Sequence, residues 1–310
     1  MESLRFDAMG TDIQVLMDAD EENAWLAFLE VPVWFEQWEQ HLSRFRPGSE
    51  LSRVNNQPGQ TIHVSPIFAE VMDLALQMEN LSRGLITPAI LPALINAGYD
   101  RSFELLSDIG AENQPLKPHY PISTNGLYWN TETREINLPA GMQLDFGGVA
   151  KGWAAHQAAQ LLSVYGPVLV NAGGDIAIAG YPIDSKKWQV GVRDPFIRDS
   201  DFAILDIHQG GVATSGIDHR HWRQNGVFRH HLIDPNTGEP AMSDLLQVTV
   251  LAEDVMQAEM AAKMVFFKGS QDGMDWLKKN SRYEALLIDQ TGNILQTENL
   301  SVKIIEGLMV

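Results

Sequence analysis

The chain has 310 residues, 45% of them apolar and 20% charged, with eight Trp and twelve Phe, which fits a soluble globular protein and excludes disorder. Its formal charge of −18 argues against a general affinity for nucleic acid or anionic membranes, since both need a basic face. It has no cysteine, so disulfides, thiolate catalysis and Cys-ligated metals are excluded.

Met1 to Met17 carry no long apolar run, which gives the expectation of a cytoplasmic protein without signal peptide or membrane anchor. Residues 4–17 alternate as two strands about Met9-Gly10-Thr11. Residues 21–46 read as helix, kinked or divided at Pro32, and Pro47-Gly48-Ser49-Glu50 is a polar turn. A helix is predicted from Pro66 to Arg83, with Ser65 as N-cap, Pro66 in the first position and Gly84 closing its end. Residues 85–125 are irregular and proline-bearing. Residues 134–146 read as two strands, Gly147-Gly148 as a loop, and Ala150 to Leu162 as an alanine-rich helix. Further strands cover 167–171, 176–180 and 188–193. His230 to Ile233 is read as a strand before the turn Asp234-Pro235-Asn236-Thr237-Gly238. A strand at 246–252 precedes a helix at 255–268 capped by Asp254, and 285–297 forms a hairpin about Gln290-Thr291-Gly292-Asn293. With no repeat or compositional break, the chain reads as one α/β unit of mixed α+β type. Residues 1–310 then form a single large domain, with two closely packed lobes as the alternative arrangement.

An acidic chain that binds an anion must compensate locally, with backbone amides, a few cations or a metal ion. Three stretches could do so. In Asp145-Phe146-Gly147-Gly148-Val149-Ala150-Lys151-Gly152 a strand ends at an acid, two glycines allow close approach, and a helix opens with a lysine in its first turn. Helix N-termini favour anions; a plain glycine turn with a solvated Lys151 is equally open. Asn171-Ala172-Gly173-Gly174-Asp175 permits a sharp turn against a ligand, or a strand-to-strand bulge. The third stretch joins Thr214-Ser215-Gly216-Ile217-Asp218 to His230-His231. A histidine beside a turn acid can move a proton near neutral pH, and alternation along a strand would turn one of the two inward.

These stretches occur in the order and spacing of the ApbE-like flavin transferase family. Phe45-Arg46-Pro47-Gly48-Ser49-Glu50-Leu51-Ser52-Arg53-Val54-Asn55 and Trp188-Gln189-Val190-Gly191-Val192-Arg193-Asp194-Pro195 add to the likeness, which runs from about Phe6 to Gly269. The resemblance implies the fold of that family and an FAD:protein FMN transferase. FAD is the substrate, usually with Mg2+; a Thr or Ser hydroxyl of a target protein attacks the FMN phosphorus, and AMP leaves. A non-catalytic FAD-binding protein and an FAD pyrophosphatase are the alternatives.

Residue by residue, the resemblance places Met9 and Asn55 near the flavin nucleotide, Asp145 and Lys151 on FAD, and Ile233 on the nucleotide. Gly173, Gly174, Asp175 and Ser215 are counted with the FAD-binding positions. Gly148, through its carbonyl, and Glu259 are the implied metal ligands. His231 matches the histidine that takes the proton from the attacking hydroxyl, with His230 as its rival. Two departures stand out. Gly84-Leu85-Ile86-Thr87 replaces a usual Gly-x-Phe-Asp. Lys263 replaces a metal-binding Thr, and an ammonium cannot ligate Mg2+. Either Lys263 neutralises the pyrophosphate in the metal's stead, or Glu259 and Lys263 form an ordinary i,i+4 surface pair worth about 0.2–0.5 kcal/mol.

Overall fold

The computed structural model describes residues 1–106, 122–182, 184, 187–197 and 199–305. Of the irregular stretch expected at 85–125, residues 107–121 lie outside the described residues.

Among the described residues six α-helices punctuate the chain: α1 (Glu21–Leu42), α2 (Glu50–Asn55), α3 (Pro66–Ser82), α4 (Leu91–Asn96), α5 (Ala150–Leu162) and α6 (Val255–Lys279). Asp20 caps α1 by accepting from the Asn23 amide at 3.0 Å. Its buried row, Ala24, Ala27, Val31, Phe35, Trp38 and Leu42, steps by three and four and runs straight past Pro32. Here the expectation of a divided helix is corrected: packing of that continuous row outweighs the one backbone bond the proline removes. The helix also stops at Leu42 rather than at residue 46, because Ser43 turns to an extended conformation.

In α3 the Ser65 hydroxyl accepts from the Phe68 amide at 3.1 Å, and Arg83 and Gly84 both turn left-handed (φ 55° and 82°) to end it. The short helix α4 and the 3-10 turns Pro88–Ile90 and Phe103–Leu105 lie in the stretch read as irregular. They are too brief to print a period on the sequence.

The helices pack on an eight-stranded sheet in which every neighbouring pair is antiparallel. Its order is Glu2–Ala8, Thr11–Met17, Val168–Ala172, Asp175–Ala179, Gly210–Gly216, Leu245–Ala252, Glu284–Asp289, Ile294–Gln296. Alternation sorts the strands' side chains onto two faces. Val168, Val170, Ala177, Val248, Val250 and Leu287 join the core shared with α1, α3, α5 and α6. Leu169, Ile176, Ile178, Val212, Leu286 and Ile288 point the other way, onto a small sheet of Trp188–Arg193, Asp201–Ile207 and Val302–Ile304. The sheet is therefore buried on both faces, which explains why its central strands read as near-continuous apolar runs. The two strands expected at 134–146 reduce to Glu135–Asn137, which pairs with Ile62–His63 and Tyr128–Asn130.

Asp254 caps α6 by accepting from the Gln257 amide at 2.8 Å. The helix breaks at Gly269 (φ 77°, ψ 177°) and resumes to Lys279, so the expected end at 268 marks the break and not the terminus. That backbone conformation is open essentially only to glycine, and a Cβ at 269 would lie 2.9 Å from Asp244 Oδ1, which accepts from the Ser270 amide. Gly269→Ala is expected to destabilise the protein by about 1–3 kcal/mol, measured as a lower urea midpoint with an unchanged slope.

Candidate active site

The strand register brings several turns to one end of the large sheet. Ala8 pairs with Thr11 around Met9-Gly10, and Ala172 pairs with Asp175 around Gly173-Gly174. Because Ile13 pairs with Ala172, the two turns lie side by side, and the Gly173 amide donates to Asp12 O at 3.1 Å. Strand Gly210–Gly216 ends beside them, since Val212 pairs with Ile176 and the strand runs onward to Ser215. Gly173 and Gly174 have φ of 66° and 98°, a two-residue hairpin loop rather than a bulge. A Cβ on Gly173 would meet Thr11 Oγ1 at 2.1 Å, so only glycine lets the two turns nest. Met9 holds a left-handed φ of 53° without glycine's freedom, a strained residue on the wall of the site.

A cavity of about 820 Å³ opens at this end, at the upper end of the size range of small-molecule sites. Met9, Asp145, Gly148, Lys151, Gly173, Gly174, Asp175, Ser215, His231, Ile233 and Glu259 all line it, and so does Lys263; Asn55 and His230 do not. The start of α5 faces this space with no side chain capping it; the Ala150 amide donates to Phe146 O at 2.7 Å, which leaves the Lys151 and Gly152 amides for an anion.

Between α5 and α6 lies a cluster of four charges, its two carboxylates buried and its two lysine side chains each 14% exposed. Lys151 Nζ donates to Asp175 Oδ2 and sits 3.8 Å from Glu259 Oε1; Lys263 Nζ donates to that same Glu259 oxygen at 2.8 Å. Glu259 is 2% exposed. The reading of Glu259 and Lys263 as a surface pair is thereby overturned: both face inward across the helix–helix seam. The seam is close because residue 152 is glycine, where a Cβ would lie 2.5 Å from Glu259 Oε2. Burial pushes the Lys151 ammonium down, but Asp175 and Glu259 more than offset it, so its pKa stands above the ordinary value. Burial first, and repulsion from Asp175 second, push the Glu259 carboxyl up against the pull of the two lysines. As a metal centre the donor set fits poorly. Two ammonium groups already face Glu259 Oε1, at 2.8 and 3.8 Å, while Oε2 is buried without a hydrogen-bond partner, and among the described residues no three His, Asp or Glu side chains are arranged to hold an ion.

Asp145 is 9% exposed and both its oxygens are engaged, one accepting from the Gly147 amide at 2.8 Å and one paired with Arg44 Nε at 2.6 Å. It shapes the glycine loop ahead of α5. Asn55 stands behind the wall: its amide donates to Leu144 O at 2.8 Å and accepts from Leu144 N at 2.7 Å. Its two bonds fix the extended segment that leads into Asp145. In the altered stretch Gly84-Leu85-Ile86-Thr87, Thr87 caps the following 3-10 turn by accepting from the Ala89 amide at 3.2 Å.

The histidines part company. The strand ends at His230, and Ile233 makes only an isolated bridge to Pro240, so the expected strand His230–Ile233 is one residue of ladder and a bend. His230 is 4% exposed and turned from the cavity, its ring 6.3 Å from that of Phe266. His231 faces the cavity, and its Nδ1 lies 3.3 Å from Arg220 O. A carbonyl only accepts, so Nδ1 carries the proton and Nε2 is the ring's acceptor. Burial first, then the Arg220 charge, hold His231 well below its ordinary pKa. Burial lowers His230 to about 4. Both rings are neutral at pH 7.

Sequence reasoning missed three residues on this wall. Arg44 is buried between Phe45 and Tyr99, its guanidinium 4.0 Å and 4.6 Å from their ring centres. Arg220 NH2 donates to Gly10 O at 3.2 Å, tying the His231 segment to the first turn. Gln247 is 3% exposed with an unpartnered Oε1. Arg44 stands just past the end of α1, two residues before Arg46, and nothing local sets it apart; Arg220 and Gln247 likewise carry no local signal.

The depressed histidines predict a pH dependence. Below about pH 6.5 the unfolded rings take up protons that the native rings refuse, so stability falls as pH drops from about 6.5 to 4. For His230 alone the full loss is about 3 kcal/mol. Urea midpoints across this range should fall in the wild type and fall less in His230→Leu, which keeps only the part set by His231.

The geometry agrees with comparisons to known proteins. The profile of the ApbE family matches residues 9–287. The chain is 30% identical to the FAD:protein FMN transferase of Treponema pallidum over 84% of this chain and 76% of the relative. It is 26% identical to that of Haemophilus influenzae, over 84% and 77%. Among solved structures, the ApbE protein of Thermotoga maritima superposes with a TM-score of 0.83 at 24% identity, covering 96% of this chain and 97% of the other. The flavin transferase ApbE of Vibrio cholerae does so with a TM-score of 0.75 at 23% identity, over 96% and 97%. With nine-tenths of its length matched and the fold shared, the chain belongs to the ApbE family.

Proposed function

We propose that this chain is an FAD:protein FMN transferase, which moves FMN from FAD to a Thr or Ser hydroxyl of a target protein and releases AMP. The observation that carries this is the meeting, on one cavity wall, of paired glycine turns, the uncapped start of α5, two half-buried ammonium groups and a neutral histidine. The cavity draws its walls from Met9 to Phe267, so we take residues 1–310 as one functional unit.

Phosphoryl transfer needs positioning and charge neutralisation more than covalent help. The α5 amides and Lys151 suit the diphosphate of FAD, and the glycine turns admit its backbone without side-chain clash. The acceptor oxygen attacks the FMN phosphorus, the bond to the bridging oxygen breaks, and AMP takes the electron pair. His231 Nε2, unprotonated at neutral pH, takes the hydroxyl proton. The lysines hold the negative charge that builds on the departing phosphate. This also answers how an acidic chain holds an anion: a few of its 22 Lys and Arg residues, Lys151, Lys263, Arg44 and Arg220 among them, line the cavity. Mg2+, implied by the family resemblance with Gly148 and Glu259 as ligands, fits this donor set poorly, and the residues named above act without it.

The test is to incubate the protein with FAD and a co-encoded flavoprotein, then assay AMP and covalent flavin fluorescence on the partner. Transfer is expected, and His231→Ala should slow it about 10²- to 10⁴-fold while FAD affinity holds. Free FMN with AMP and no labelled partner would make the protein an FAD pyrophosphatase. Intact FAD retained without turnover would make it a binding protein.

A further inference from the structure

We propose that the Lys263 ammonium stands in for a divalent cation, so that this site binds FAD and cleaves its diphosphate without Mg2+. The inference rests on the function proposed above and concerns the charge on which that chemistry draws.

The argument begins with position. Lys263 lies one turn beyond Glu259 on α6 and its Nζ holds Glu259 Oε1 at 2.8 Å. Its Cε lies 3.4 Å from where a Cβ on Gly148 would sit, an ordinary van der Waals distance that puts the ammonium beside the loop ahead of α5. The two residues expected to ligate a metal, Gly148 and Glu259, thus both border the Lys263 head group. Lys151 Nζ stands on the same Glu259 oxygen at 3.8 Å. The other Glu259 oxygen packs against Gly152.

The chemistry follows from that crowding. Mg2+ demands close octahedral oxygen ligation at about 2.1 Å. An ammonium offers three donors and no lone pair, so at this spot it excludes a dication instead of helping to bind one. What it offers a diphosphate is the same service a metal would: a fixed positive charge against the oxygens where charge builds. Lysine brings one charge where Mg2+ brings two. Arg44 and Arg220, on the same cavity wall, supply further positive charge.

Three measurements on the full-length protein test this. FAD affinity and AMP release are measured in EDTA and again with Mg2+, and Mn2+ binding to the FAD-free protein is followed by electron paramagnetic resonance. The wild type is expected to keep its FAD affinity and AMP release in EDTA and to leave Mn2+ free at submillimolar concentration. Lys263→Ser removes the ammonium and supplies a hydroxyl oxygen. It should weaken FAD binding in EDTA by about 10- to 100-fold, the loss of one charged hydrogen bond, and Mg2+ should restore part of it. Lys263→Met should lose the same affinity with little recovery, its fold checked by circular dichroism. The proposal is overturned if EDTA abolishes wild-type FAD binding or AMP release and Mg2+ restores it. It is also overturned if the wild type binds Mn2+ tightly and Glu259→Gln does not. Absence of FAD binding under every condition would instead sink the functional reading, and the Mn2+ measurement would still decide the question of the metal.

Discussion

The structure turns on a square of charge: Lys151 with Asp175, and Lys263 with Glu259, set between α5, α6 and the turn that follows Ala172. Four ions removed from water are costly unless each is paired, and a well-packed apolar seam would hold two helices as well or better. Their presence at the open end of the sheet fits the role proposed for them in holding a ligand's charge. Because each cation already has its carboxylate, its position is set before any ligand arrives, and little reorganisation remains when an anion enters.

Everything around the square serves to keep it in place. Gly152 lets α6 come close enough for Glu259 to reach Lys151. Gly173 lets the second hairpin nest on Thr11, which fixes Asp175 opposite α5. Asn55 and Asp145 spend their own hydrogen bonds on the loop that starts α5. The antiparallel sheet, packed on both faces, supplies the rigid platform on which loops and turns can carry chemistry. The two histidines show the same economy of roles: one is buried among aromatic rings, and its neighbour faces the cavity with its tautomer set by the Arg220 carbonyl.

Much of this was legible in the residues. Helix caps at Ser65 and Asp254, the hairpin at Gly173-Gly174 and the helix from Ala150 to Leu162 follow from local rules that the tertiary structure leaves intact. Where long-range packing decides, the sequence misled. Pro32 breaks no helix because the row from Ala27 to Trp38 is buried on both sides of it. The Glu259–Lys263 pair looked like a surface contact because i,i+4 spacing says nothing about which way the pair faces; only the packing of α6 on α5 turns it inward. Asn55 was taken for a ligand contact, whereas its partner is Leu144, 89 residues away, a pairing no local pattern could reveal.

The central claim is that a flavin dinucleotide's diphosphate sits between the start of α5 and the two lysines. A crystal structure of the protein with FAD tests it most directly. The account requires diphosphate oxygens within hydrogen-bond reach of the Lys151 and Lys263 ammonium groups and of the Lys151 and Gly152 amides of α5, with His231 on the side from which an acceptor would approach. A diphosphate lodged elsewhere, with the lysine–carboxylate square intact and untouched, would contradict it.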